Sequence, residues 1–342
     1  MTMAKKVTIR DVAEAAGLSV TTVSLILNGK GARFAADTQA KVRHCAKVLD
    51  YHPDYFARGL VGQRGNSLGI VVPDILNPFF ATFVQQVSEV AIPQGYFPQV
   101  FSVNGFHENV GHFIEQFAGG TQRGLILAAP GASSEIVDKL TQSDNLPLVF
   151  TDQAEVSTGG DMVLIDEAIA GQAIAEHLLK LGHRRIALVV PQTLSLNLVK
   201  RFSGFQTAFA AYGVPLPDDL IFRERFGPDG GEAAATKIVA TDATAIIAIN
   251  DDMAVGVYRG LMAQGKRIPA DYSVVGFDDI PLASYLTPQL TTVHQPIHAL
   301  AEKAVSRIID RLAHPSLPLE VTHLATRLVV RGSTTAIIPG NR

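Results

Sequence analysis

From residue 68 onward the chain repeats one pattern, a short run of consecutive apolar residues followed by a helical stretch. The runs are 68–72, 98–101, 124–128, 147–151, 185–190, 245–249 and 273–277, and helical spacing holds over 79–92, 167–181, 202–212 and 251–264. A strand apolar at every position is buried on both faces, and the helices between such strands supply both the cover and the crossovers that parallel pairing needs. The pattern therefore predicts an α/β body of two doubly wound parallel sheets. The apolar runs are far shorter than the ~20 residues a bilayer span requires, so no membrane helix is expected. At 342 residues and 47% apolar content the chain has material for roughly two domains with large cores.

In sheets of this kind ligands bind in the crevice at the carboxyl ends of the strands. The residues at those ends are Asp74 and Asn77-Pro78-Phe79-Phe80, then Asp152, Asn250-Asp251-Asp252 and Asp278-Asp279. Carboxylates and amides bridge pairs of hydroxyls, and a phenyl ring covers the apolar face of a sugar, so the ring points to a polyol or sugar. Each acid or amide also precedes a helix, where an N-cap is its simpler role. Taken jointly they favour the crevice.

The charge is unevenly placed. Residues 1–66 carry ten Lys and Arg against five Asp and Glu, whereas the whole chain is at −3. A small basic segment on an acidic body fits a polyanion partner such as nucleic acid, or a solvated basic face. Within this segment Ile9, Val12, Ala13 and Ala16 give one apolar helical face, with Thr8 and Asp11 at its start and Gly17 at its end. Ser19 is a good N-cap for a second short helix whose stripe is Val23, Ile26 and Leu27, before Asn28-Gly29. Two short helices joined by so tight a turn make a helix-turn-helix, whose second helix fits a major groove about 12 Å wide. A third helix, with Asp37-Thr38 as cap candidates, brings Val42, Cys45, Ala46 and Leu49 to the same core. Outward from the second helix stand Val20, Thr21, Thr22, Ser24, Leu25 and Asn28, hydroxyls suited to phosphates and apolar groups suited to thymine methyls. A helical hairpin with a polar face also serves as a protein–protein element.

Residues 7–29, VTIRDVAEAAGLSVTTVSLILNG, resemble the DNA-binding headpiece of the lactose-repressor (LacI/GalR) family of bacterial transcription regulators. The resemblance implies that Val20, Thr21 and Leu25 choose the base sequence and that Thr22, Ser24 and Asn28 contact the backbone. Thr8, Ser19 and Arg33 join them as DNA-binding residues. Tyr55–Val61 is similar to the family's hinge helix, with Leu60 as the minor-groove wedge and Ala57 and Arg58 beside it; a segment this short holds only against something else, DNA or the body. RRIALVV, KRFSGFQTAF, AIIAINDDMAVGVYRGL and SVVGFDDIPLASYLTPQLTTVHQP resemble the family's effector domain, shared with periplasmic sugar-binding proteins. By that match Arg201, Asn250 and Asp278 contact effector, with Asp74, Asn77, Phe79, Asp152 and Gln295 lining the cleft. Lys200 beside Arg201 keeps phosphosugars and acids open as ligands. Within the family, SVTTVSLILNGKG is most similar to regulators of maltose-related genes.

The implied organisation is a headpiece over 1–52, a hinge over 53–66 and an effector-binding and dimerisation domain over 67–342. Three crossings divide that domain into lobe one (67–165 and 296–325) and lobe two (166–295 and 326–342). The implied partners are a palindromic double-stranded DNA operator, a sugar-like effector and a second copy of the chain in a homodimer, since no leucine heptad suggests a tetramer. The expected response is release from DNA on effector binding; a corepressed regulator and a sugar-binding protein without DNA function are the rivals.

Catalysis finds no motif: GxxxxGK[ST], GxSxG and HExxH are all missing, and Gly230-Gly231 reads as a lone loop. His183 and His294 read as satisfied structural residues. One cysteine, Cys45, gives no disulfide or thiolate metal site, and neither cofactor nor metal is expected. The N-terminus has no apolar h-region, so a cytoplasmic location is expected.

Overall fold

The computed structural model describes residues 7–27, 31–51, 66–103, 122–129, 146–151 and 159–337. It divides into two units, Met1–Gly65 and Asn66–Arg342. Asn28, Ala57, Arg58, Leu60 and Asp152 lie outside the described residues.

The first unit contains helices α1 (Ile9–Ala16), α2 (Val20–Leu27) and α3 (Ala36–Val48). Val12, Ala13, Ala16, Val23, Ile26, Val42 and Ala46 form its core, and half-buried Cys45 packs against them. Gly17 ends α1 in the left-handed region at φ 63°, where a β-carbon would be strained, and the Leu18 N–H returns to the Ala13 carbonyl. Asp37 and Thr38 fall inside the first turn of α3, two and three residues beyond its N-cap Ala35, so neither is the cap the sequence suggests.

The second unit carries the two expected sheets. The first has strand order β11-β5-β4-β3-β1-β2, from β1 (Ser67–Val72), β2 (Phe97–Ser102), β3 (Gln122–Leu127), β4 (Leu148–Thr151), β5 (Asp161–Ile165) and β11 (Val321–Leu324). The second has order β7-β6-β8-β9, from β6 (Ile186–Pro191), β7 (Ile221–Glu224), β8 (Ala245–Ala248) and β9 (Ser273–Val275). Every pairing within these two sheets is parallel. In each, the second strand lies outside the first and the third on its other side, which opens a switch-point crevice at the carboxyl ends. A small antiparallel pair joins β10 (Thr292–His294) to β12 (Arg327–Val329).

Helices α4 (Pro78–Ala91), α5 (Glu167–Lys180), α6 (Leu196–Ala211), α7 (Pro228–Ile238), α8 (Asp251–Ala263) and α9 (Ile297–Ala313) cover the sheets. The chain leaves the first sheet after β5, returns through α9 to β11, and then runs to β12. Gly230 and Gly231 lie within α7, not in a loop. A β-carbon on Gly231 would stand 2.0 Å from the Met253 carbonyl oxygen of α8, so this glycine serves close helix packing, while one on Gly230 would stand 1.8 Å from the Arg225 carbonyl oxygen. His183 is satisfied, within 2.8 Å of the Thr244 hydroxyl, 3.1 Å of the Ser273 hydroxyl and 3.0 Å of the Thr335 carbonyl.

Candidate functional site

In the first unit, α2 offers one of its faces to solvent. Val23 and Ile26 turn α2 inward, which leaves Val20 41% exposed and Thr21 exposed, with Thr22, Ser24 and Leu25 half-buried. Ser19 caps the helix, its Oγ accepting the Thr22 N–H at 3.1 Å. Thr8 gives both its N–H and its hydroxyl to the Asp11 carboxylate at 2.6 Å. Arg33 is exposed, with its guanidinium 5.1 Å from the centre of the Phe34 ring. The helix therefore presents small hydroxyl and apolar groups on a rigid support, the equipment for reading base edges in a major groove.

The second unit encloses a cavity of about 150 Å³ at the carboxyl ends of its strands. Phe79, Phe83 and Leu300 are among its apolar lining residues, while Thr151, Asp166, Glu167, Asn197, Lys200, Gln295 and His323 bring polar groups. A dry cavity of about 150 Å³ holds one benzene ring, so the space suits a single sugar ring. Phe79 and Gln295 are on its wall; Asn77, Arg201, Asn250 and Asp278 are buried and, like the half-buried Asp74, do not line it.

Two of these have local duties. Asn77 caps α4 by accepting the Phe79 N–H at 3.0 Å, and Asn250 caps α8 by accepting the Met253 N–H at 3.0 Å. Asp74 accepts the Leu76 N–H at 2.9 Å, and its charge adds to burial in raising the Asp252 carboxyl. The next acid, Asp251, is wholly buried: it accepts from the Thr292 hydroxyl at 2.6 Å and the Ile280 N–H at 3.0 Å, and burial pushes it well above the carboxylate range.

Arg201 is 3% exposed and is held on all sides. Its Nε and one terminal nitrogen donate to Glu167 at 2.8 and 3.1 Å, and the other donates to the Ile249 carbonyl at 2.6 Å. The guanidinium carbon lies 3.3 Å from the centre of the Phe277 ring. Two glycines permit the pairing. A β-carbon on Gly171 of α5 would stand 2.3 Å from the Arg201 carbonyl oxygen, and one on Gly204 of α6 would stand 2.1 Å from that of Ala168. The helices cross with backbones in contact, and Glu167 meets Arg201 beside the crossing.

Asp278 sits at φ 121° and accepts from Gln295 Nε2 at 2.7 Å. Burial raises its carboxyl to about 7, although the Arg201 charge and the Gln295 hydrogen bond pull the other way. Its neighbour Asp279 binds His294 at 2.9 Å and Arg331 at 2.5 Å, which accounts for the second histidine.

Asp166, Glu167, Asn197, Thr151 and His323 are the polar cavity residues that sequence reasoning misses. Asp166-Glu167 directly follow β5, a strand that opens on a charged residue, Asp161, and so breaks the apolar pattern. Among the described residues no group of three or more His, Cys, Asp or Glu could hold a metal ion, and no helix is long and apolar enough to cross a membrane.

Comparison with known proteins agrees with both units. Residues 8–54 match the bacterial regulatory proteins of the lacI family, and residues 175–334 match the periplasmic binding protein-like domain. The HTH-type transcriptional regulator DegA of Bacillus subtilis is 34% identical over 85% of this chain and 87% of its own. The HTH-type transcriptional repressor PurR of Vibrio cholerae is 32% identical over 89% and 91%. A LacI family regulator from Enterococcus faecium with bound ribose superposes with a TM-score of 0.75 at 31% identity, covering 80% of this chain and all of that one. The lac repressor dimer bound to operator and the anti-inducer ONPF superposes with a TM-score of 0.82 at 26% identity, covering 97% of this chain and all of that one. These relatives are regulators and repressors, not enzymes, and with its helix-turn-helix headpiece and two-sheet body this chain belongs to the LacI family of DNA-binding transcriptional regulators.

Proposed function

We propose that the protein represses a carbohydrate-utilisation operon, binding a palindromic operator as a homodimer and leaving it when a small sugar-like effector fills the cavity. The observation that carries this reading is the cavity itself, which combines Phe79 and Phe83 with hydroxyl-binding groups in a space sized for one ring. The similar regulator from Enterococcus faecium holds ribose. In the dimer each copy places its α2, with Val20 and Thr21 outermost, in one of two successive major grooves, and an effector acts only through unequal affinity for the DNA-bound and released states. Homodimer formation is supported by β2, an edge strand that exposes Phe97 and Val100, with exposed Ile92 shortly before it in the chain.

The test is titration of the full-length protein onto DNA fragments from around its own gene, at two salt concentrations, with and without a panel of sugars. Salt-dependent binding to one palindrome that a single sugar abolishes is the expected result. Binding strengthened by the ligand would make the protein a corepressed regulator, and failure to select any fragment would overturn the operator reading.

A further inference from the structure

We propose that Glu167 makes the cavity selective for a neutral single-ring polyol, by neutralising Arg201 and presenting a carboxylate, in place of a guanidinium, to the ligand. The inference rests on the sugar-effector reading above and names the class of sugar.

The cavity wall includes Glu167 but not Arg201. Behind that wall, Glu167 takes two donors of Arg201, the Ile249 carbonyl takes a third, and Phe277 covers the face of the guanidinium. A phosphate or carboxylate in the cavity would therefore meet Glu167 before it reached the arginine. Each of those oxygens has a second lone pair, and a carboxylate accepts only, so it takes hydroxyl donors and repels anions. The remaining wall charges do not reverse this. Lys200 stands among the lining residues, and so does Asp166, whose carboxylate also accepts the Ile169 N–H at 3.0 Å. With two acids, one lysine and one histidine on the wall, and with Arg201 already paired, the site carries no surplus of fixed positive charge for an anion. Glu167 is 6% exposed, so its charge acts in a medium that screens poorly.

The full-length protein is titrated calorimetrically with ribose, glucose, ribose 5-phosphate, glucose 6-phosphate and glucuronate. The unaltered chain is expected to bind a neutral sugar at least about tenfold more tightly than its charged counterpart. Glu167→Gln, which exposes the Arg201 charge, is expected to narrow that ratio about tenfold, while Glu167→Gln with Arg201→Gln, which removes both charges, is expected to show no such gain in anion binding. The preference of the unaltered chain needs no variant to fold. A tighter phosphate or glucuronate complex in the unaltered chain would overturn the role of Glu167 and leave the sugar reading standing. So would a folded Glu167→Gln variant with its ratio unchanged. Failure of every probe to bind would overturn the sugar reading, and the inference with it.

Discussion

Gln295 donates to Asp278 across 2.7 Å, and this bond ties a residue of the cavity wall to a backbone position held at φ 121°. The carboxyl involved is raised to about 7 by burial, from 3.8 in the unfolded chain. Between those values the native protein keeps a proton that the unfolded chain has released. The associated stability is complete below about 3.8 and is lost as pH rises through about 7. Denaturation in urea at a series of pH values should show stability falling across this window, and Asp278→Asn should remove part of that slope. An unchanged slope in the variant would place the retained proton elsewhere, the buried and raised Asp251 being the neighbouring candidate.

Asp161 behaves in the opposite sense. Burial would raise its carboxyl, but hydrogen bonds from Arg311, Arg307 and the Glu320 N–H outweigh it and hold the group below its usual 3.8. That stability is present above 3.8 and lost as pH falls through the lowered value, a window separate from that of Asp278. The same network explains how a charged residue can open a central strand: Arg307 reaches Asp161 at 2.7 Å, and both residues are buried. Arg307→Ala leaves that carboxylate short of a partner and should cost about 3 kcal/mol in urea denaturation. A cost below about 1 kcal/mol would mean that Arg311 alone satisfies it.

Asp161 also shows where the sequence is hard to read. Strands such as Leu68–Val72 and Ala245–Ala248 are apolar throughout because helices cover both faces, and they stand out in the sequence for that reason. By contrast β5 begins on an ion pair whose partners lie some 150 residues away on α9, a relation no local pattern carries. The residues after β5 were lost with it, Glu167 among them. The edge strand β7 and the short β10 and β12 are half-exposed or only three residues long, too little for a pattern. The headpiece was legible because the caps of α1 and α2 and its apolar spacing are local, whereas the pairing of Arg201 depends on a helix crossing set by Gly171 and Gly204.

Ser19 and Val20 are adjacent but do different work in α2. Ser19 caps the helix, so Ser19→Ala should lower headpiece stability by about 1 kcal/mol, visible in its thermal melt. Val20 is exposed and supports nothing in the core, so Val20→Ala should leave the melt unchanged. On operator variants it should instead alter discrimination at one base pair by about 1 kcal/mol. Equal loss of affinity for every DNA sequence would instead assign Val20 to backbone positioning.

Gly204 and Gly213 separate lack of space from lack of conformational freedom. Around Gly213 there is nothing within 4 Å of an added β-carbon, but its φ is 62°, so Gly213→Ala should cost about 1 kcal/mol through backbone strain alone. At Gly204 the added carbon would lie 2.1 Å from the Ala168 carbonyl oxygen and 2.8 Å from the Gln172 nitrogen, backbone atoms that cannot turn aside. Gly204→Ala must push α5 from α6, at a cost of about 1–3 kcal/mol. It also moves apart the segments that carry Glu167 and Arg201, whose hydrogen bonds of 2.8 and 3.1 Å have no slack. Calorimetric titration should therefore find effector binding unchanged in Gly213→Ala and weakened in Gly204→Ala, with the preference for neutral over charged ligands reduced. If both variants lose stability and neither changes ligand preference, the helix crossing serves packing alone.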